Sequence, residues 1–535
     1  MAVRPPVGYP GVYVEEEPDR DESIPGVPTS IAAFLGRTSR GPVNGPVLIL
    51  GYADFERVFG DLHEDMTLAY AVRDFFLNGG EQAYVVRLFK DEQDSDTARG
   101  VLPGSPLTLE AAHPGDWGNR ITVEVTHPAA DAKVPHGLAA RGLTADDLFD
   151  LAVTSENRKG RKSRERIRSA SLHEDARHNR VDLLLEQRST LVRCPGIEDD
   201  SGARITTRPA DGASLTLSGG CDSDPLGEDL AGLMDADAHA ATKIGLGALD
   251  DVDVFNLLVV PPDTRTGRIA PATYQQMMRY CEQRRAVCLI DPEPGLVQAA
   301  ERGDLGAEGR AFIDSLMNDA AANGAVYFPR VMAPDPLRAG KVSVFPAGGM
   351  IAGVIARTDA TRGVWKAPAG VEAVLEGVAE LELKLDDGLN GVLNSLGINA
   401  MRDFGVTGKV VWGARTLRGA DELGDEWRYL PVRRLALFLE ESLFRGTKWV
   451  VFEPNDENLW ARLRLSIAGF LTGLFRQGAF QGQTQHEAFF VRCDATTTTP
   501  DDIASGLVNV LVGFAPVKPA EFVILHLQQK AGGAS

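Results

Sequence analysis

The sequence predicts a multidomain protein of α/β and α+β class, with one domain nested inside another. Three observations carry this. Apolar strands alternating with helices occur in 26–92, stop, and resume in 243–385. The stretch between them, 93–242, is rich in turn residues and short strands, so a β-rich module interrupts a split α/β domain. A third, α+β segment follows at 386–515, and both ends (1–25 and 516–535) carry a strand cut off from its sequence neighbours by prolines.

The first of these strands is Pro10-Gly11-Val12-Tyr13-Val14-Glu15-Glu16, with Pro5-Pro6 before it and Glu17-Pro18-Asp19 after it. Thr29 to Leu35 and Val47 to Leu50 read as short strands around the turn-rich 40–46. Met66 to Leu77 has helical periodicity and stops at Asn78-Gly79-Gly80, and Gln82 to Phe89 is a further strand. In the β-rich module, Ile121–Val125, Val181–Glu186 and Ser214–Leu217 are expected strands. The run Arg158 to Arg168 holds seven basic residues against one acidic and is expected as a solvated loop.

The α/β rhythm resumes with Val254–Val260, a continuous apolar strand of the kind a sheet covered on both faces requires. A helix from Pro271, a strand Ala286–Ile290, a helix around Gly309–Ala322 and a strand Ala325–Phe328 follow. In the third segment Pro431–Phe444 is a helix and Lys448–Phe452 a strand. A second helix runs from an Asn455/Asp456 cap to Arg476, with Gly478 just past it. The strands Glu487–Cys493 and Leu507–Phe514 flank a short helix capped by Thr499 with Pro500 at its first position. The chain closes on Ala520-Glu521-Phe522-Val523-Ile524-Leu525-His526-Leu527-Gln528, a β-branched and aromatic run set apart by Pro516 and Pro519. An extended apolar segment needs a sheet edge, either its own chain's or another's.

Composition narrows the function. A chain of 535 residues has room for roughly three or four domains at about 150 residues each. A net charge of −20 argues against coating nucleic acid, which needs a basic surface. Five cysteines without a CxxC pair indicate a reducing compartment. The opening Met-Ala-Val-Arg-Pro-Pro has no apolar h-region, and no apolar run reaches membrane-span length, so neither a secretory signal nor membrane insertion is expected.

Catalytic patterns are sparse. Asp263 and Asp291 each follow an apolar strand, where α/β enzymes place their sites, and a hydrolase-like enzyme using this carboxylate pair is the alternative reading. Strand-end aspartates also fasten the next turn, which is the plainer explanation. No GxxxxGK[ST] or GxSxG motif occurs, and Gly245-Leu246-Gly247 lacks the third glycine of a dinucleotide loop. His173 and His178 are five residues apart, about 140° around a helix, and cannot share a metal. No catalytic residue, cofactor or metal is therefore assigned.

The 457–476 segment is more informative. Leu459, Trp460, Leu463, Ile467, Phe470, Leu471 and Leu474 fall within an arc of about 120° and form a core face. Arg462 and Arg476 lie within about 40° of each other and about 21 Å apart along the axis. From Arg428 to Arg476 there are eight basic residues against five acidic. A local positive excess in an acidic chain fits either a docking face for an acidic partner or ordinary solvated arginines.

Several runs resemble the contractile tail sheath family of phage tails and phage-tail-like injection systems. They are Pro10–Glu16, Gly26–Phe34, Gly36–Pro42, Ala71–Gly80 and Pro114–Arg120, then Ala356-Arg357-Thr358-Asp359, Gly363–Ala369, Leu396–Ala400 and Trp412-Gly413-Ala414-Arg415-Thr416-Leu417. The most specific stretch runs from Arg433 through Glu453–Asp456 and Phe490–Asp494 to Pro519-Ala520-Glu521-Phe522-Val523-Ile524. The resemblance spans 9–90 and about 245–528. It is poor over 128–215, and Cys221 follows the Leu217–Gly220 element.

The resemblance implies a non-enzymatic structural subunit that polymerises in a six-start helix of hexameric rings around a rigid inner tube. Contraction then drives the tube through a target envelope. In these terms 386–515 is the inner domain, 26–92 with 243–385 the middle domain and 93–242 the outer domain. The arms 1–25 and 516–535 exchange strands with neighbouring subunits. Val12, Tyr13, Val14, Phe522, Val523, Ile524, Leu525 and Leu527 would make those inter-subunit ladders, and Arg462, Arg476 and Lys448 would face the tube. Implied partners are further copies of the chain, an inner tube protein, and baseplate and cap or terminator proteins, without nucleic acid or membrane insertion. Assembly is expected in the cytoplasm as part of a phage tail or related particle. Whether that particle is a virion, a released particle or a cell-anchored one stays open.

Overall fold

In a computed structural model of the chain, the described residues are 23–90, 96–129, 131–198, 201–227 and 229–522. They divide into two compact units, one of 28–438 with 518 onward, the other of 439–517 with the residues before 28. The larger unit is built on an eight-stranded sheet. Its strand order is Lys409–Val411, Asn399–Asp403, Gly324–Phe328, Val287–Ile290, Leu257–Val259, Ala32–Gly36, Ala83–Arg87, Val47–Ile49. The six central strands are parallel, and the two outermost run antiparallel to their neighbours. Ala32–Gly36 sits between a strand from before the insertion and one from after it, so the chain returns to complete the same sheet.

Both faces of this sheet are covered, which is why its strands read as unbroken apolar runs. Ala33, Leu35, Leu258, Cys288, Ile290, Val326 and Phe328 belong to one buried core, together with residues of the helices Pro271–Gln283 and Leu305–Leu316. The alternate residues Ala32, Phe34, Leu257, Val259, Leu289 and Tyr327 join Leu68–Leu77 and Gly348–Arg362 in the other. These two helices cross almost backbone to backbone. A Cβ on Gly349 would lie 2.2 Å from the Ala71 carbonyl oxygen, and one on Gly353 2.5 Å from that of Phe75.

The strands Asn399–Asp403 and Lys409–Val411 belong to this large sheet, not with the segment after it as the sequence boundary at 386 had them. Asn399–Asp403 pairs with Gly324–Phe328, about 75 residues away in sequence, a pairing that no local pattern announces.

The inserted module has an antiparallel sheet in the order Ser214–Thr216, Ile121–Thr126, Phe149–Glu156, Lys162–Ala170, and a smaller three-stranded sheet beside it. Two expectations are corrected here. Val181–Glu186 is not a strand but the start of a helix, Val181–Arg188. Val181, Leu184 and Leu185 bury at helical spacing, and an apolar run this short does not distinguish the two states by itself. The basic run is not a loop. Residues from Lys162 on form a strand paired with Phe149–Glu156, burying Ile167 and Ala170. Its outward charges meet acids of the same sheet, Arg166 with Asp150 and Lys162 with Glu156 on the adjacent strand, and Arg164 with Glu124 one strand further on. Lys159 and Arg158 at the turn pair with Asp61, and with Asp116 and Asp222.

Candidate functional site: a helix surface and an open two-stranded sheet

In the smaller unit the helix Glu457–Arg476 starts where the cap chemistry predicted. The Asp456 side chain accepts from the Leu459 amide at 2.9 Å. Asn455 accepts from the Trp460 indole at 2.9 Å and donates to the Leu507 carbonyl at 2.9 Å, which ties the helix start to the loop before the last strand. Leu459, Trp460, Leu463, Ile467, Leu471 and Leu474 are buried, while Leu465 on the far side is 77% exposed. Phe470 is only half-buried.

The expected strand Lys448–Phe452 is a single 3₁₀ turn, Lys448–Val450, followed by Phe452 at φ 72°. No partner strand lies beside it among the described residues, so its β-branched residues have no ladder to join. Trp449 is used differently: the Arg462 guanidinium stacks over its ring at 4.5 Å and pairs with Glu453 at 3.2 Å. Lys448 lies over the Phe444 ring at 5.4 Å. Arg476 is exposed and has no ion pair among the described residues. The positive excess of this region is largely met inside the chain, by Arg428–Asp421, Arg434–Asp359, Arg445–Glu441 and Arg464–Glu457. Of the three expected cations, Arg476 alone lacks both an ion pair and a ring contact among the described residues, and sequence spacing could not separate it from Arg462.

One turn of helix, Gln485–Ala488, precedes the strand Phe489–Arg492, which pairs antiparallel with Leu511–Phe514. Apart from one bridge, Phe480 with Pro516, no further strand joins this pair among the described residues. Phe490, Leu507 and Leu511 stay exposed around it. A two-stranded ribbon is marginal alone and offers unpaired N–H and C=O groups along its edges. Of the expected arm residues, Val12, Tyr13, Val14, Val523, Ile524, Leu525 and Leu527 lie outside the described residues. Phe522 is described and exposed.

The carboxylates of the alternative enzyme reading are both occupied. Asp263 accepts from Arg37 Nε at 2.6 Å and from the Leu226 amide at 2.7 Å. Asp291 is buried and accepts from the Ala347 and Gly348 amides at 2.9 and 3.1 Å, fixing the start of the 348–362 helix. Burial pushes its carboxyl up to about 6, partly offset by those two donors. Neither acid fastens the turn that follows its own strand, which the plainer reading expected: Asp263 ties Arg37 to Leu226, and Asp291 holds the amides of Ala347 and Gly348, 56 and 57 residues further on. No group of three or more His, Cys, Asp or Glu is placed to hold a metal among the described residues, and none of their helices is long and apolar enough to cross a membrane.

Two family models match. The phage tail sheath protein central domain covers 238–417 and the phage tail sheath C-terminal domain covers 422–530, together more than half of the chain. The chain belongs to the phage tail sheath family. The tail sheath protein of Vibrio phage KVP40 is 28% identical over 182 residues, 34% of this chain and 26% of that protein. That of Enterobacteria phage T4 is 26% identical over 190 residues, 35% of this chain and 28% of that protein. The match thus spans about a quarter of the length of these two relatives. The helical sheath of the anti-feeding prophage (AFP) in its contracted state shares the fold over 98% of this chain and 99% of that one, with a TM-score of 0.56 at 24% identity. The sheath C-terminal match takes in the 457–476 helix and the two-stranded ribbon, and the central match takes in the sheet strands from 257 to 411.

Proposed function

We propose that this chain is the structural subunit of a contractile sheath. It polymerises helically around a rigid inner tube and contracts to drive that tube through a target envelope. Membership of the tail sheath family carries the reading, and the open ribbon of 489–492 with 511–514 supplies a physical means of linkage. Strand addition at that ribbon by the 10–16 and C-terminal segments of neighbouring copies completes its unpaired edges. Backbone ladders of this kind persist while side-chain contacts between subunits are exchanged, so a lattice can shorten without coming apart. The chain needs no catalytic site for this, because the work is stored in the assembled state.

In this reading the ribbon and the 457–476 helix form an inner domain, the eight-stranded sheet a middle domain, and 93–242 an outer one. Arg476, with Arg462 and Lys448, faces the tube. Other copies, the tube protein, and baseplate and terminator proteins are the partners, and assembly takes place in the cytoplasm.

Negative-stain imaging of the purified chain tests this directly: striated hollow cylinders are expected. A chain lacking residues 1–20 should remain a folded monomer that forms none. Long cylinders from the truncated chain would refute strand exchange by the N-terminal arm, and their absence from the intact chain would refute the sheath reading.

A further inference from the structure

Arg415, from the run 412–417, meets Glu521, from the run that starts at Pro519. Arg415 is only 1% exposed. Asn399 accepts from its backbone amide at 2.6 Å and donates to its carbonyl at 2.8 Å, so the residue is fixed to a strand of the large sheet. Its guanidinium donates to the carbonyls of Asn394 and Gly419 at 2.6 and 2.9 Å and to Asp421 at 2.9 Å. The remaining two donors, Nε and Nη2, form a fork on the Glu521 carboxylate at 2.8 and 2.5 Å. The Tyr429 hydroxyl donates to the same carboxylate at 3.4 Å. The Glu521 side chain is 18% exposed, while Phe522, the next residue, is 77% exposed. The Glu521 carboxylate is therefore docked from a backbone that stays at the surface on both sides of it.

We propose that Arg415 and Glu521 form a clamp that roots the C-terminal arm on its own subunit, so that the strand-forming run begins at a fixed point. This rests on the sheath reading. Without the clamp the last held residue would be Pro516, bridged to Phe480, which adds the five residues 517–521 and about 17 Å of slack. The effective concentration of a tethered strand at its acceptor falls steeply with excess tether length. A rooted arm thus reaches an acceptor at one spacing and one direction, which a regular lattice requires. The expected ladder residues begin at Phe522, one residue past the clamp.

Glu521→Ala tests the proposal. Asp421 still faces Arg415 in this variant, so the buried guanidinium keeps a counter-charge and the subunit should fold. Chymotrypsin cutting after Phe522, followed by mass spectrometry of the released 523–535 peptide at concentrations below assembly, should run at least about tenfold faster than in the wild-type chain. Sheaths should be absent or much shorter by electron microscopy. Glu521→Gln, which keeps the length and one accepting oxygen, should be intermediate in both assays. Unchanged cleavage would overturn the clamp. Faster cleavage with sheaths of wild-type length would overturn its positioning role. If the wild-type chain forms no sheaths, the sheath reading and that role fail together, while the cleavage ratio still decides the clamp.

Discussion

Replacing Arg434 by Met should be among the most destabilising single changes in the larger unit. Arg434 and Asp359 are each 3% exposed and joined by two parallel bonds, Nη1 to Oδ1 at 2.9 Å and Nη2 to Oδ2 at 2.5 Å. Thr29 completes the group: its hydroxyl donates to Asp359 at 2.6 Å and its carbonyl accepts from Arg434 at 2.9 Å. The three residues come from the stretch before the first sheet strand, the 348–362 helix and the Leu430–Gly446 helix, so one cluster ties elements some 400 residues apart. Arg434→Met leaves a buried carboxylate with a single hydroxyl donor, a defect worth about 3–5 kcal/mol. That is a large share of the roughly 5–15 kcal/mol by which domains are stable. Asp359→Leu combined with Arg434→Met removes both charges and strands only the Thr29 groups, and should cost about 1–2 kcal/mol. Urea unfolding followed by far-UV circular dichroism measures both variants against the wild-type chain. A loss below about 1 kcal/mol in the single variant, or a double variant as unstable as the single, would refute the argument.

Asp291→Asn should change the pH dependence of stability. Burial raises the Asp291 carboxyl from 3.8 to about 6, so the folded chain holds this proton more tightly than the unfolded chain. Its contribution is therefore present at low pH and lost as pH rises from about 4 to about 6, a cost of about 3 kcal/mol at neutrality. Asn keeps an oxygen for the Ala347 and Gly348 amides, so the variant should be the more stable at pH about 7 and gain nothing at pH about 4. Urea midpoints at the two values read this out, and equal pH slopes in variant and wild type would count against it. Charge reversal at Arg476, which has no ion pair or ring contact among the described residues, should lower the fraction of tubes that carry a sheath in micrographs of a mixture with tube protein, while empty-sheath polymerisation persists; unchanged tube decoration would remove this residue from the tube face.

The sequence was most legible where one local cause dominates. Asp456 and Thr499 cap their helices as expected, because a side-chain acceptor three residues before a free amide acts within one turn. Parallel strands such as Leu257–Val259 and Val287–Ile290 announce themselves as unbroken apolar runs, since both faces are buried. It was least legible where a distant partner sets the outcome. The 162–170 strand looks like a loop until Glu124 and Asp150 supply its cross-strand counter-charges. Lys448–Phe452 has strand composition and no strand to pair with among the described residues. Helical spacing put Arg462 and Arg476 on one side of their helix, but only the structure separates Arg476 from Arg462, which is held by Trp449 and Glu453.

The sequence by itself determined the class of fold, the interruption of the α/β rhythm, the helix caps and the likeness to tail sheath proteins. All of these are written in neighbouring residues or in short runs. The tertiary structure decided which strands share the large sheet, that the basic run is a strand, and that Arg415 meets Glu521 and Arg434 meets Asp359. Those outcomes depend on contacts across tens to hundreds of residues. A buried guanidinium or carboxylate takes whatever partner the folded backbone brings to it, and no local pattern names that partner.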